Sequence, residues 1–145
     1  MRTAQFLLLL GGWSSSHALA GLGQSVHELQ MTTQRTATAL NASYHTTYTR
    51  FEYKNPQGIR LHEFSDPVTG KIFAVTWQGQ RPYPLRQAMG KTTVILPAHS
   101  GYDHHRYLYH DAHLVVESHM YLHQFYGRVY LPDQLPAQML PQDIQ

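Results

Sequence analysis

The clearest pattern in the chain is an alternation of apolar and polar positions in its middle third. Tyr44 to Tyr53 is rich in Tyr, Thr and Phe, residue types that suit a pleated, half-buried surface. Asn55-Pro56-Gln57-Gly58 follows as turn chemistry, because proline presets the second turn position and glycine accepts unusual dihedrals. Ile59, Leu61 and Glu63 then oppose Arg60, His62 and Phe64 across a second strand, and Asp66 to Gly70 makes a second turn. Lys71 to Trp77 predicts a third strand. Its run Ile72-Phe73-Ala74-Val75 is apolar on both faces, as expected of a strand that is central or covered by a helix. Three strands joined by short turns predict an antiparallel meander.

The flanks are less regular. Ser25-Val26-His27-Glu28 is a capping-box pattern, and Val26, Leu29, Thr33, Ala37 and Leu40 fall near one helical face. The threonines leave an extended lead-in equally open. After a break at Gly79, Pro82 and Pro84, the spacing of Leu85, Ala88, Met89, Ile95 and Leu96 predicts a helix ending at Pro97. Gly90 and the β-branched Thr92 to Ile95 work against it. Ala98 to Asp111 reads as a loop with a short strand around Arg106 to Tyr109. His113 to Ser118 and Leu122 to Leu131 read as two more strands. The expected fold class is α+β: an antiparallel β-meander sheet of about five strands with one or two helices packed on one face. The expected organisation is a leader at residues 1–20, one α+β domain at 21–131 and a Pro-rich C-terminal tail at 132–145. Whether that tail docks on the sheet is open at this level.

The leader has three parts. Met1-Arg2 is a minimal positive region, Phe6 to Leu10 an apolar core, and Ala18-Leu19-Ala20 an A-x-A cleavage site. A membrane anchor needs about 20 apolar residues, and Gly11, Gly12 and Ser14 to Ser16 interrupt this run early. The expectation is a signal peptide cut after Ala20, a protein that is periplasmic or secreted, and no membrane span once the leader is gone. The chain has no cysteine, which excludes disulfides, a thiolate metal site and a cysteine nucleophile. A net charge of +2 is no footprint for nucleic acid.

Several blocks in order carry a resemblance. They are Leu61-His62-Glu63-Phe64 with the Asp66-to-Gly70 turn, Ile72 to Gly79, Leu85-Arg86-Gln87-Ala88-Met89-Gly90, Leu114 to Met120, and Phe125-Tyr126-Gly127-Arg128-Val129-Tyr130-Leu131-Pro132. Together they resemble the bacterial family of domain of unknown function 2844, from about Gly21 to Pro136. The resemblance implies an exported protein and implies no activity. The distance from His119-Met120 to Phe125 is longer than the family pattern, which leaves the local register open.

The chain carries 11 histidines, and His104, His105, His110, His113, His119 and His123 crowd into one segment. Imidazole is the commonest metal ligand, so these six are the candidate metal site, with Zn or Cu as the metal. Asp103, Asp111 and Glu117 are at hand to complete it. The spacing matches no H-E-x-x-H pattern. Surface histidines in a His- and Tyr-rich composition explain the cluster as well. If several histidines were partly buried and neutral in the folded state, stability would fall below about pH 6.

Trp77, Tyr83, Tyr102, Tyr107, Tyr109, Tyr121, Tyr126 and Tyr130 offer surfaces for sugars or partners. In a sheet, tyrosine more often covers the core edge and pairs across strands. Gly127 within a strand suggests a bulge or a close approach. No G-x-S-x-G elbow, paired carboxylates, phosphate loop or dinucleotide fingerprint is present, so no catalytic residue is assigned. The expected function is a noncatalytic accessory or binding domain of the cell envelope that engages an envelope or exported protein. The alternative is a periplasmic metal or small-ligand binder using residues 99–123.

Overall fold

The computed structural model describes residues 21–36, 38–97 and 106–145. The expected leader and its cleavage site therefore lie outside the described residues, as do His99, His104 and His105.

The fold is α+β, and its sheet is larger than the sequence suggests. Among the described residues seven antiparallel strands replace the expected five or so, in the order β1-β2-β3-β4-β7-β6-β5. They are β1 Asn41–Tyr44, β2 Thr49–Lys54, β3 Arg60–Ser65, β4 Ile72–Gly79, β5 Arg106–His110, β6 Val115–Tyr121 and β7 Gln124–Tyr130. Two meanders, β1 to β4 and β5 to β7, meet where β4 pairs with β7. β4 is the central strand that its apolar run predicted, buried from Ile72 to Trp77.

Part of the difference in strand number comes from Tyr44 to Tyr53, where Tyr44 ends β1, residues 45–48 turn and Thr49 begins β2. Its turn contains no glycine or proline. The His45 amide donates to the Tyr48 carbonyl at 2.9 Å, and the two rings stack with centroids 4.3 Å apart.

Two helices supply one face. α1 spans Val26–Arg35 and carries the capping box: the Glu28 amide donates to Ser25 Oγ and the Ser25 amide donates to the Glu28 carboxylate. α2 is only Leu85–Met89, shorter than the expected helix to Leu96, because Gly90 turns the chain at φ 53°. Gly90 packs on Gly21 and Leu22 so closely that a Cβ would collide with their backbone. Residues 21–24 are threaded between α2 and β4. The Leu22 amide donates to Ala88 at 3.0 Å, the Gly23 amide to Ile72 and the Ile72 amide to Gln24, both at 2.9 Å.

Antiparallel register sets both faces of the sheet. The helix-covered face carries Phe51, Glu63, Val75, Val129 and Val116 in one row, and Tyr53, Leu61, Trp77 and Gly127 in the next. It packs with Leu22, Leu29, Ala88 and Met89 into the main core. Gly127 lets the Trp77 ring lie directly on the strand, and a Cβ there would overlap the indole. Glu63 is fully buried in this core. Its Oε1 accepts a 2.6 Å hydrogen bond from the Tyr53 hydroxyl.

The opposite face has a second, smaller core of Phe64, Phe73, Ala74, Val115 and Tyr130. The Pro-rich tail closes it. Met139 and Ile144 from residues 132–145 are 7% and 1% exposed, and two short 3-10 turns, Pro132–Gln134 and Pro141–Asp143, shape the path between. Among the described residues no helix is long and apolar enough to cross a membrane.

Candidate functional site

The tail covers only part of the second face. Beside it lies an open cleft of about 470 Å³. Its walls follow from register. One row across β3, β4, β7 and β6 reads His62, Thr76, Arg128, Glu117, and the next reads Arg60, Gln78, Tyr126, His119. The strands thus present polar side chains here, where one row further along they present Phe64, Ala74, Tyr130 and Val115. Ile144 and Gln145 of the tail close one end.

Arg128 organises the β7 side. Its Nε donates to Glu117 Oε2 and its Nη1 to the Pro141 carbonyl at 2.6 Å. His110 Nε2 lies 2.9 Å from the other Glu117 oxygen. Burial works to raise the Glu117 carboxyl, but Arg128 and then His110 outweigh it and hold the group below the usual carboxylate range. Glu117 is therefore an ionised anchor for its neighbours and is poorly suited to giving up a proton.

The β3 side is looser. His62 Nδ1 lies 2.9 Å from the Gln145 backbone oxygen, so this nitrogen carries the proton. His62 Nε2 is 3.5 Å from Glu52, and Arg60 is 3.8 Å from the same carboxylate. At those distances the Arg60 guanidinium is only weakly engaged. The His119 ring stacks on Tyr126 with centroids 5.3 Å apart and planes 15° apart. Among the described residues neither the Gln78 side-chain amide nor the Tyr126 hydroxyl has a hydrogen-bond partner.

The four candidate metal residues among the described ones lie in different settings. His110 is on Glu117. His113 sits in the β5–β6 connection, where the sequence predicted strand, and bonds Asp133, which raises its pKa. His119 is on Tyr126, and His123 occupies the β6–β7 turn with φ 62°. Among the described residues no three His, Asp or Glu side chains form a group able to hold a metal ion. His104 and His105 lie outside that set. Of the aromatic candidates, Trp77 and Tyr83 are buried against each other in the main core with centroids 5.6 Å apart. Tyr107 and Tyr130 are also core residues, Tyr121 is exposed, Tyr126 lines the cleft, and Tyr102 falls outside the described residues.

Sequence reasoning passed over Arg60, His62, Gln78 and Arg128. Alternation had placed Arg60 and His62 opposite the apolar side of their strand, which was the available signal. The pairing of β4 with β7, which brings Arg128 alongside Thr76, was not deducible from spacing. Glu63 was also missed, although Ile59-Leu61-Glu63 put it on an apolar side.

The fold and cleft define an α+β protein with one seven-stranded sheet, helices on one face and a tail-bordered recess on the other. This chain belongs to the family described as protein of unknown function (DUF2844), whose model matches residues 18–144. No curated protein and no solved structure matches it.

Proposed function

We propose that this protein is an exported, noncatalytic binding domain of the bacterial cell envelope, and that its ligand enters the open half of the second sheet face. The observation that carries this reading is the cleft beside the docked tail, where Gln78 and Tyr126 present uncommitted polar groups next to a half-exposed guanidinium. A concave recess with a few convergent polar groups and an aromatic wall is the usual form of a recognition site. Among the described residues the one carboxylate side chain lining it, Glu117, is tied to Arg128, which favours binding over acid–base work. Export rests on the leader pattern at residues 1–20.

Site-specific photocrosslinking in the native host tests this. A crosslinker at Gln78 should give a discrete adduct that one at Val68, exposed in the turn at the far end of the sheet, does not. Equal labelling from both positions defeats the cleft assignment. N-terminal sequencing of the envelope fraction should read from Gly21, and retention of Met1 in cytoplasmic protein would defeat export.

A further inference from the structure

The second face already holds one peptide: the protein's own tail. Met139 and Ile144 enter its apolar row. Two main-chain oxygens of the tail, the Pro141 carbonyl and an oxygen of Gln145, are met by Arg128 from β7 and His62 from β3. Side-chain donors that take main-chain carbonyls recognise peptide backbone whatever the side chains are. Donors from two different strands therefore read the same polypeptide segment.

The same chemistry continues into the open cleft. Gln78 can donate and accept, and the Tyr126 hydroxyl can do the same. The stacked Tyr126–His119 pair offers a flat apolar surface. Arg60 stands at the edge with its side chain half exposed, 3.8 Å from Glu52, too far for a good hydrogen bond. A carboxylate approaching from solvent would bind that guanidinium in bidentate fashion, which Glu52 does not. Among the described residues Glu117 is the one acidic side chain lining the cleft, and Arg128 already neutralises it. Among the lining side chains Arg60 is thus the one loosely held cation, and the one carboxylate is already paired, which favours an acidic ligand over a basic one.

We propose that the cleft binds a short acidic peptide segment of another exported protein, seated beside the tail with a carboxylate on Arg60 and main-chain groups on Gln78 and Tyr126. This rests on the cleft being the binding site, as proposed above, and adds the class of ligand.

NMR titration of the isotope-labelled protein tests it. The probes are a pool of acidic octapeptides, a matched pool with lysine in place of the acids, and an oligogalacturonate as an acidic ligand without peptide groups. The acidic pool should shift the Gln78 side-chain amide and the Tyr126 and His119 resonances, and the lysine pool should not. Arg60→Ala should weaken the acidic pool about tenfold or more, the loss of one charge-assisted contact. Gln78→Glu should do likewise at an exposed position where folding is not at stake, and Val68→Ala should leave binding unchanged. If the oligogalacturonate shifts these resonances and peptides do not, the cleft stands as a site and the peptide class falls. If all three probes leave the cleft resonances unmoved, the peptide proposal falls and the cleft assignment loses its support as well. Equal shifts from the acidic and lysine pools overturn the role given to Arg60.

Discussion

Tyr53 donates a hydrogen bond to Oε1 of Glu63 deep in the helix-covered core, and Oε2 of the same carboxyl has no partner. A carboxylate in that setting lacks the second contact it would need to remain charged cheaply. Burial raises its pKa to about 7, against the Tyr53 bond that lowers it. The same burial pushes the Tyr53 and Tyr83 hydroxyls well above the ordinary tyrosine range, so both stay protonated.

The consequence for stability has a definite sign. The unfolded carboxyl titrates near 4.5 and the folded one near 7. Stability from the neutral form is complete below the lower value and is lost as pH rises through the upper one. The loss is about 3 kcal/mol. Urea unfolding from pH 5 to 8 should show Glu63→Gln gaining on the wild type by that order as pH rises. A constant difference would show that Glu63 does not titrate in this window. The opposite slope, expected if several histidines were partly buried, has little basis among the described residues, where only His62 is so.

Gly127→Ala should be costly. The added methyl group would overlap the Trp77 indole, and overpacking of this kind costs about 1–3 kcal/mol. Chemical denaturation with Trp fluorescence measures both the loss and the displacement of the ring. An unchanged midpoint would mean that the indole shifts freely.

The β6–β7 turn should be improvable. Leu122 and His123 hold φ of 47° and 62°, a two-residue hairpin conformation normally filled by Asn-Gly. Replacing the pair with Asn-Gly should stabilise by about 1 kcal/mol or more, read as a higher Tm. No gain would indicate that the exposed Leu122 side chain compensates for the strain.

The tail should be integral to the second face. Ile144→Ala deletes a buried side chain and should cost about 2–4 kcal/mol. Hydrogen exchange should then rise along residues 138–145, while Leu61 and Val75 on the other face stay protected. Uniform loss of protection would mean that both faces unfold together.

Some of this was legible from the chain. β3 and β4 announced themselves by alternation and by flanking turns rich in Asp, Asn, Pro and Gly. The Ser25–Glu28 cap was equally plain. The hairpin of β1 and β2 was hidden because His45 to Tyr48 turns without glycine or proline, using ring stacking. The β6–β7 turn was hidden for a similar reason, so its second strand was placed two residues early. α2 stops short because Gly90 must pack against Gly21 and Leu22, a contact between distant parts of the chain. The cleft was invisible because its walls come from strands paired across the two meanders, and its end from the tail. Periodicity reports which side of a strand a residue occupies, and it says nothing about which strand lies alongside.

The seam between β4 and β7 also sets the order in which the molecule can assemble. Each meander closes through short connections, whereas Ala74 must find Tyr130 across a much longer stretch of chain. Loop-closure entropy makes that meeting the slow step, after the local hairpins have formed. Trp77 lies on this seam, against Gly127. Its fluorescence in a refolding experiment should therefore lag the appearance of strand signal, reporting the moment when two halves become one sheet.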